Sequence, residues 1–339
     1  MTGPRTSTDI VIVGAGPVGL FAVFEAGMLG MGCAVFDALA MAGGQCAALY
    51  PEKPIYDIPG IPRLAAQELV DRLLEQAAPF RPDYRLDRQV MALEGDAKSG
   101  WTVKSSGGED VACRAVVIAA GNGAFGPNRL PLPGIERFEG KSVFYLVRRR
   151  EDFRGRRVVI AGGGDSAVDW AVSLSEIAAR VMVVHRRDKF RAAPESERRL
   201  RDLAAAGKVE LVIPYQLAGV EGEGGQISAV TVATLKGETR RLEADALLAF
   251  FGLASELGPI ARWGVQLERQ HIKVDAATLE TSVPGIYAIG DVATYPGKLK
   301  LILSGFSEAA MAAHAIYKRV HPDRPLHFEY STTKGLPKA

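Results

Sequence analysis

Gly162, Gly164 and Ala167 stand at G-x-G-x-x-A spacing, and Arg186, Arg187 and Arg191 follow about twenty residues later. Backbone at such glycines lets a pyrophosphate come close, and a helix opening at Asp165 and Ser166 offers N–H groups to its charge. A unit that prefers NAD ends its second strand in an acid for the ribose 2′-hydroxyl, whereas arginine suits a 2′-phosphate. Planar guanidinium groups grip such a phosphate through two N–H donors at once. An isolated arginine pair is usually a solvated turn; after strand, glycines, helix and strand, it reads as an NADPH site. A second set lies near the start of the chain. Gly14, Gly16 and Gly19 form G-x-G-x-x-G, and Asp37 follows about 20 residues on, where a ribose hydroxyl needs a carboxylate. Two units of opposite charge preference imply two nucleotides. FAD beside NADPH is the natural pair, because a flavin takes up a hydride and releases single electrons.

These residues need particular elements to hold them. Residues 158–161 are an unbroken apolar run, read as a buried parallel strand, with a helix to about residue 179 and a strand over 181–184. The first set calls for a strand over 8–13, a helix over 20–29 and a strand over 33–36. Residues 41–60, rich in proline and glycine, read as a shaped loop in which Gln45 can hydrogen-bond and Tyr50 offers a flat face. An amphipathic helix is expected over 64–78, a strand over 90–93, and a small antiparallel insert from 101–104 and 111–119. Residues 116–120 read as a buried strand running into the turn at 121–123. A charged helix over 194–206 and short strands between 209 and 242 follow. Residues 246–252 read as a strand returning to the first domain, 285–291 as strand, glycine and acid with Asp291 at a helix start, and 307–320 as a helix.

Composition sets the bounds. A chain of 339 residues with 47% hydrophobic and 24% charged residues is an ordinary globular protein long enough for two domains. A net charge of +2 gives no general bias toward nucleic acid or membrane. No apolar run reaches spanning length and the start lacks an apolar signal core, so a cytoplasmic protein is expected. Cys33, Cys46 and Cys113 include no C-x-x-C, which argues against a disulfide framework or a zinc site.

The run from Gly43 to Gly60, the segment G-G-G-D-S-A-V-D-W-A from Gly162, and H-R-R-D-x-F-R-A from His185 resemble the ferredoxin–NADP reductases of the thioredoxin-reductase-like type. These are homodimeric FAD enzymes, and the resemblance spans nearly the whole chain; A-I-G-D at Ala288 to Asp291 is shared more widely among flavoproteins. It implies an α/β fold of two Rossmann-like three-layer domains. An FAD domain would comprise 1–123 and 250–325, an NADPH domain 124–249 would be inserted in it, and 326–339 would cover the flavin of the partner subunit. It implies that Asp37 binds the adenosine ribose, that Gln45 contacts the cofactor, and that Tyr50 stacks on one face of the isoalloxazine ring. Val90 and Phe125 would line the adenine and flavin surroundings, and Asp291 would hold the ribityl chain. Tyr330, Ser331 and Thr332 match the carboxy-terminal segment that covers the other ring face. Tyr50 and Tyr330 are then the residues that govern the flavin, with no acid–base residue required.

Thioredoxin reductases carry a C-x-x-C shortly before the glycines of the NADPH domain. Here residues 143–150 read V-F-Y-L-V-R-R-R, with no sulfur. Without a dithiol, electrons cannot pass by thiol exchange and must leave the flavin directly. The implied partner is a ferredoxin, typically acidic, and Arg148, Arg149, Arg150, Arg154, Arg156 and Arg157 form a candidate docking block. Candidate hinges lie at 124–126 and 248–250. Two other readings stay open: a flavoprotein reductase of another acceptor such as a flavodoxin or quinone, and a non-enzymatic redox sensor.

Overall fold

The computed structural model describes residues 6–127, 130, 132–251, 253–326 and 335. Its contacts divide the chain into two units, one of Met1–Phe125 with Ser255–Ala339 and one of Gly126–Ala254. The chain crosses between them in the strands Ala124–Pro127 and Leu253–Glu256.

In the first unit, the wholly apolar strands Ile10–Val13, Cys33–Phe36 and Ala115–Ile118 are buried on both faces, as parallel strands under two covering layers must be. With Ile286–Ala288 and Asp83–Arg85 at the edges they form a five-stranded parallel sheet. Alternate residues serve the two layers. Ile10, Ile12, Cys33 and Val35 pack with Ala22, Ala26, Ala309 and Ala312 from the helices Pro17–Met28 and Ile302–Val320. Val11, Val13, Ala34 and Phe36 pack with Trp101, Val103 and Val111 from the antiparallel strands Val90–Asp96, Gly100–Ser105 and Asp110–Cys113. The apolar run over 111–119 is therefore two strands. It breaks at Arg114, whose N–H donates to Asp9 O, and its second half joins the parallel sheet.

The second unit repeats the plan. Its parallel sheet runs Val143–Phe144, Ala246–Ala249, Arg157–Ala161, Arg180–Val184, Glu210–Val212. The helices Asp165–Leu174 and Pro194–Ala205 cover one face, and the meander Gln216–Glu223, Gln226–Ala233, Thr239–Glu243 covers the other. The α/β reading with two three-layer units is borne out. Some boundaries differ. The helix expected to reach about 179 ends at Leu174, because the Arg150 guanidinium donates to Ser173 O at 2.8 Å and Ala179 N–H to Arg156 O at 2.9 Å, which turns the chain back. Ala246–Ala249 does not return to the first unit; it pairs in parallel with Val158–Ala161, so residues 248–249 sit inside a sheet rather than at a crossing.

Candidate functional site

In the first unit the loop between Ile10–Val13 and Pro17–Met28 is drawn tight by Gly14 N–H donating to Phe36 O at 2.7 Å. Gly14 has φ +115°, and a Cβ there would lie 2.3 Å from Ala119 O, so only glycine fits. Gly19 presses the helix onto the loop, since its Cβ would meet Gly14 O at 2.0 Å. Gly16 differs: a Cβ there would find nothing nearer than Gly44 Cα at 4.0 Å. It is the open point of the loop. It is also the N-cap of the helix, with no side chain satisfying the first N–H groups. The three glycines thus divide into two that pack and one that leaves main chain accessible, which is what a bound pyrophosphate requires.

Asp37 ends the second strand and is tied to this loop. Its carboxylate accepts from Ala15 N–H at 2.7 Å and from Leu39 N–H at 2.8 Å. Burial pushes its carboxyl above the ordinary value, and these two N–H groups pull it back. A second glycine pair lies against the first loop: Gly43 N–H donates to Ala15 O at 2.8 Å, and a Cβ on Gly44 would come 3.1 Å from Gly16 Cα. The segment read as loop contains a short helix, Gly44–Leu49, begun by Gly43 at φ +113°. Gln45 lies on it, with its amide nitrogen 3.7 Å from where a Cβ of Gly121 would stand. Tyr50 ends it. The Cys46 thiol donates to the Tyr50 hydroxyl at 3.8 Å, and Lys53 Nζ lies 5.9 Å from the ring centroid.

Asp291 lies in the first turn of the short 3-10 helix Gly290–Val292; the α-helix after it begins at Ile302. Burial first, and the Asp291 charge in addition, push the Cys46 thiol up to about 11 and raise the Tyr50 phenol. Asp291, Cys46 and Tyr50 therefore belong to one neighbourhood. Val90 is only 3% exposed and packs in the core with Val103 and Val111, so its main chain rather than its side chain can face a ligand. Phe125 lies in the crossing strand Ala124–Pro127. Tyr330, Ser331 and Thr332 lie outside the described residues.

One residue of this neighbourhood escaped the reading of motifs. Glu308, 2% exposed, accepts from Gly290 N–H at 2.7 Å and from the Tyr295 hydroxyl at 2.7 Å, and pairs with the buried Lys298 ammonium. It holds the turn that presents Asp291. The signal was available: Glu308 shares a helical stripe with Ala309, Ala312, Ala313 and Ile316, and an acid on a buried stripe requires partners.

In the second unit Gly162 N–H donates to Val184 O at 3.1 Å, and Gly164, the N-cap of Asp165–Leu174, has nothing within 4 Å of a would-be Cβ. The arginine segment is fastened to this loop by main chain. Arg191 N–H donates to Gly163 O at 2.6 Å, and the Asp165 carboxylate accepts from Ala193 N–H at 2.8 Å. Arg186, Arg187 and Arg191 are exposed and none has an acidic partner among the described residues. Ser166 is exposed in the first turn of the helix.

His185, which the motifs leave without a role, explains Gly163. A Cβ on Gly163 would lie 2.2–2.5 Å from three atoms of the imidazole, which stacks on Phe190 at 5.2 Å. Its Nε2 is buried without a partner, an acceptor or donor facing the glycine loop. Burial first, with the positive charge of Arg191, Arg186 and Arg187 in addition, holds the imidazole below its ordinary value against one backbone hydrogen bond. Gly163→Ala is expected to push the ring out of place, costing about 1–3 kcal/mol of stability and raising KM for the nucleotide. Thermal unfolding and steady-state kinetics check it; an unchanged melting point and KM would show that His185 has room to move.

The arginines at 148–157 are mostly paired. Arg150 meets Glu176 at 2.6 Å, Arg154 meets Glu151 at 2.6 Å, Arg157 meets Glu243 and Asp245 at 2.7 and 2.6 Å, and Arg149 approaches Asp152 at 3.8 Å. The block offers far less free charge than its sequence suggests. Among the described residues no helix is long and apolar enough to cross a membrane, and no group of His, Cys, Asp or Glu is placed to hold a metal ion.

Comparison with known proteins agrees with this geometry. Residues 8–315 match the family model described as pyridine nucleotide-disulphide oxidoreductase. A ferredoxin–NADP reductase of Paramagnetospirillum magneticum is 65% identical over 331 residues, covering 98% of both chains, and one of Rhodospirillum rubrum is 62% identical, covering 97% of this chain and 96% of that one. Among solved structures, the thioredoxin reductase of T. acidophilum superposes with a TM-score of 0.80 at 26% identity, covering 93% of this chain and 99% of that one. With a glycine cradle in each unit, an acid beside one and free arginines beside the other, the chain belongs to the pyridine nucleotide-disulphide oxidoreductase family, on its ferredoxin–NADP reductase branch.

Proposed function

We propose that the chain is a ferredoxin–NADP reductase that binds FAD in the first unit and NADPH in the second. One observation carries this reading: two dinucleotide cradles of opposite charge occur in a chain whose three cysteines are buried singly, none of them in the second unit. When bound, the flavin supplies the chemistry, exchanging a hydride with the nicotinamide and single electrons with an iron–sulfur protein.

The protein's part is to bind, orient and shield. Gly14, Gly16 and Gly19 admit the FAD pyrophosphate, and Asp37 meets the adenosine ribose while its own backbone bonds keep it fixed to the loop. Gln45 and Asp291 hold the cofactor from two sides, and Tyr50, braced by the Cys46 thiol, covers one ring face. In the second unit Gly162, Gly164, Asp165 and Ser166 form the phosphate cradle, and Arg186, Arg187 and Arg191 take the 2′-phosphate. Tyr330, Ser331 and Thr332 would cover the other ring face from the second subunit of a homodimer, which acts in the cytoplasm.

The test is a coupled assay. Purified protein is expected to be yellow, to oxidise NADPH with ferricyanide, and to reduce cytochrome c only when ferredoxin is added. Colourless protein, or cytochrome reduction that ignores ferredoxin, sinks the reading. A thioredoxin reductase is disfavoured because nothing in the chain can carry electrons from flavin to a disulfide.

A further inference from the structure

The first unit carries a basic and apolar surface that no step above uses. The strands Leu267–Glu268, His271–Lys273 and Ala293–Thr294 form a small sheet. Ile272 is fully buried, so strand alternation turns His271 and Lys273 to the outer face. The Lys300 ammonium donates to His271 Nε2 at 2.6 Å, which joins the segment before the last helix to this face. Arg269, in the turn between the first two strands, lies within electrostatic reach of the same imidazole. Arg269, Lys273 and Lys300 have no acidic partner among the described residues, although Glu268 stands opposite His271 in the register. Leu299 and Leu301 flank Lys300 and are 61% and 40% exposed, and Leu303 is 40% exposed.

The surface is also close to the flavin site. Ala293–Thr294 follows directly on the turn Gly290–Val292, and Asp291 in that turn acts electrostatically on His271 as well as on Cys46 and Tyr50. Exposed leucines among unpaired cations have the make-up of a protein interface, an apolar centre with a charged rim. Unpaired charge also attracts a partner of opposite sign before contact, which charge already committed to internal ion pairs does less well.

We propose that Arg269, Lys273 and Lys300, set around Leu299, Leu301 and Leu303, form the docking surface for an acidic electron-carrier protein. The proposal rests on the ferredoxin–NADP reductase reading. It commits to an acidic partner because the rim is cationic, and to this face because an acceptor of single electrons must come close to the flavin.

The test compares the holoenzyme with Arg269→Glu/Lys273→Glu/Lys300→Glu and with the milder Lys273→Gln/Lys300→Gln. Three readouts are needed: KM for an acidic [2Fe–2S] ferredoxin across a salt series, NADPH–ferricyanide turnover, and mass by light scattering. The charge-reversed protein is expected to show KM for ferredoxin raised about tenfold or more at low salt, narrowing toward wild type as salt screens the charges. The neutral variant should fall between them, with ferricyanide turnover and mass unchanged in both. Wild-type KM and salt slope in both variants would overturn the docking surface while leaving the reductase reading intact. A change in mass would assign the surface to a second copy of this chain, and loss of ferricyanide turnover would assign it to cofactor binding; either result overturns the proposal. Failure of the wild-type protein to reduce ferredoxin at all removes the reductase reading, and this inference with it.

Discussion

Replacing Arg186 and Arg187 together by alanine is expected to raise KM for NADPH by about two to three orders of magnitude while leaving NADH turnover nearly unchanged. The reasoning starts from their surroundings. Both side chains stand exposed beyond the strand Arg180–Val184 with no acidic partner among the described residues, so their donors are available to a ligand. A hydrogen bond to a charged group contributes about 1.5–3 kcal/mol; at the lower part of that range, about 1.5–2 kcal/mol for these solvent-exposed side chains, two lost guanidinium–phosphate contacts amount to roughly 3–4 kcal/mol. At about 1.4 kcal/mol per factor of ten, that is the loss stated. NADH lacks the phosphate and should not register the change. Arg191 is held to the glycine loop by its main-chain N–H on Gly163 O, a bond that alanine would keep, so its replacement removes the charge alone. If the double variant still prefers NADPH by its original margin, the 2′-phosphate lies elsewhere.

Glu308→Leu is expected to be among the most destabilising substitutions in the first unit. It removes the one acidic partner that Lys298, whose side chain is 5% exposed, has among the described residues, and leaves Gly290 N–H unmet inside the protein. Breaking a buried ion pair from one side costs about 3–5 kcal/mol. For a unit of this size that lowers the melting temperature by roughly 10 °C. The double variant Lys298→Met/Glu308→Leu should recover part of the loss, since an apolar pair of similar volume escapes the uncompensated charge; the unmet N–H of Gly290 prevents full recovery. Because Gly290 leads into Asp291, weaker FAD retention should accompany both variants. Calorimetry and flavin release on dilution check this, and a double variant no more stable than Glu308→Leu would show that the ion pair is not the source.

How much of this was legible beforehand depended on whether the deciding contacts are local. Both cradles could be read because a buried strand, spaced glycines and a charged strand end lie within one short stretch, each imposing a residue type. The parallel sheets could be read from unbroken apolar runs such as Val158 to Ala161. Contacts across long separations were not legible. Arg157 looked like free surface charge until the register of Arg157–Ala161 with Ala246–Ala249 brought Asp245 against it, 88 residues away in the chain. The helix Gly44–Leu49 was missed because it opens with glycine, a poor helix former, and owes its place to packing on the first glycine loop. His185 was passed over because its importance lies in the space above Gly163, which no spacing reveals.

The placement of sulfur has a consequence for poisoning. Burial pushes the Cys113 thiol up to about 12, alongside about 11 for Cys46, and Cys33 is 3% exposed. Arsenite, gold compounds and alkylating electrophiles attack thiolates, and at neutral pH neither Cys46 nor Cys113 offers an appreciable fraction of one. Enzymes of the same fold that relay electrons through a dithiol must expose a reactive sulfur to work. This chain has no such obligation, and its three cysteines are all buried.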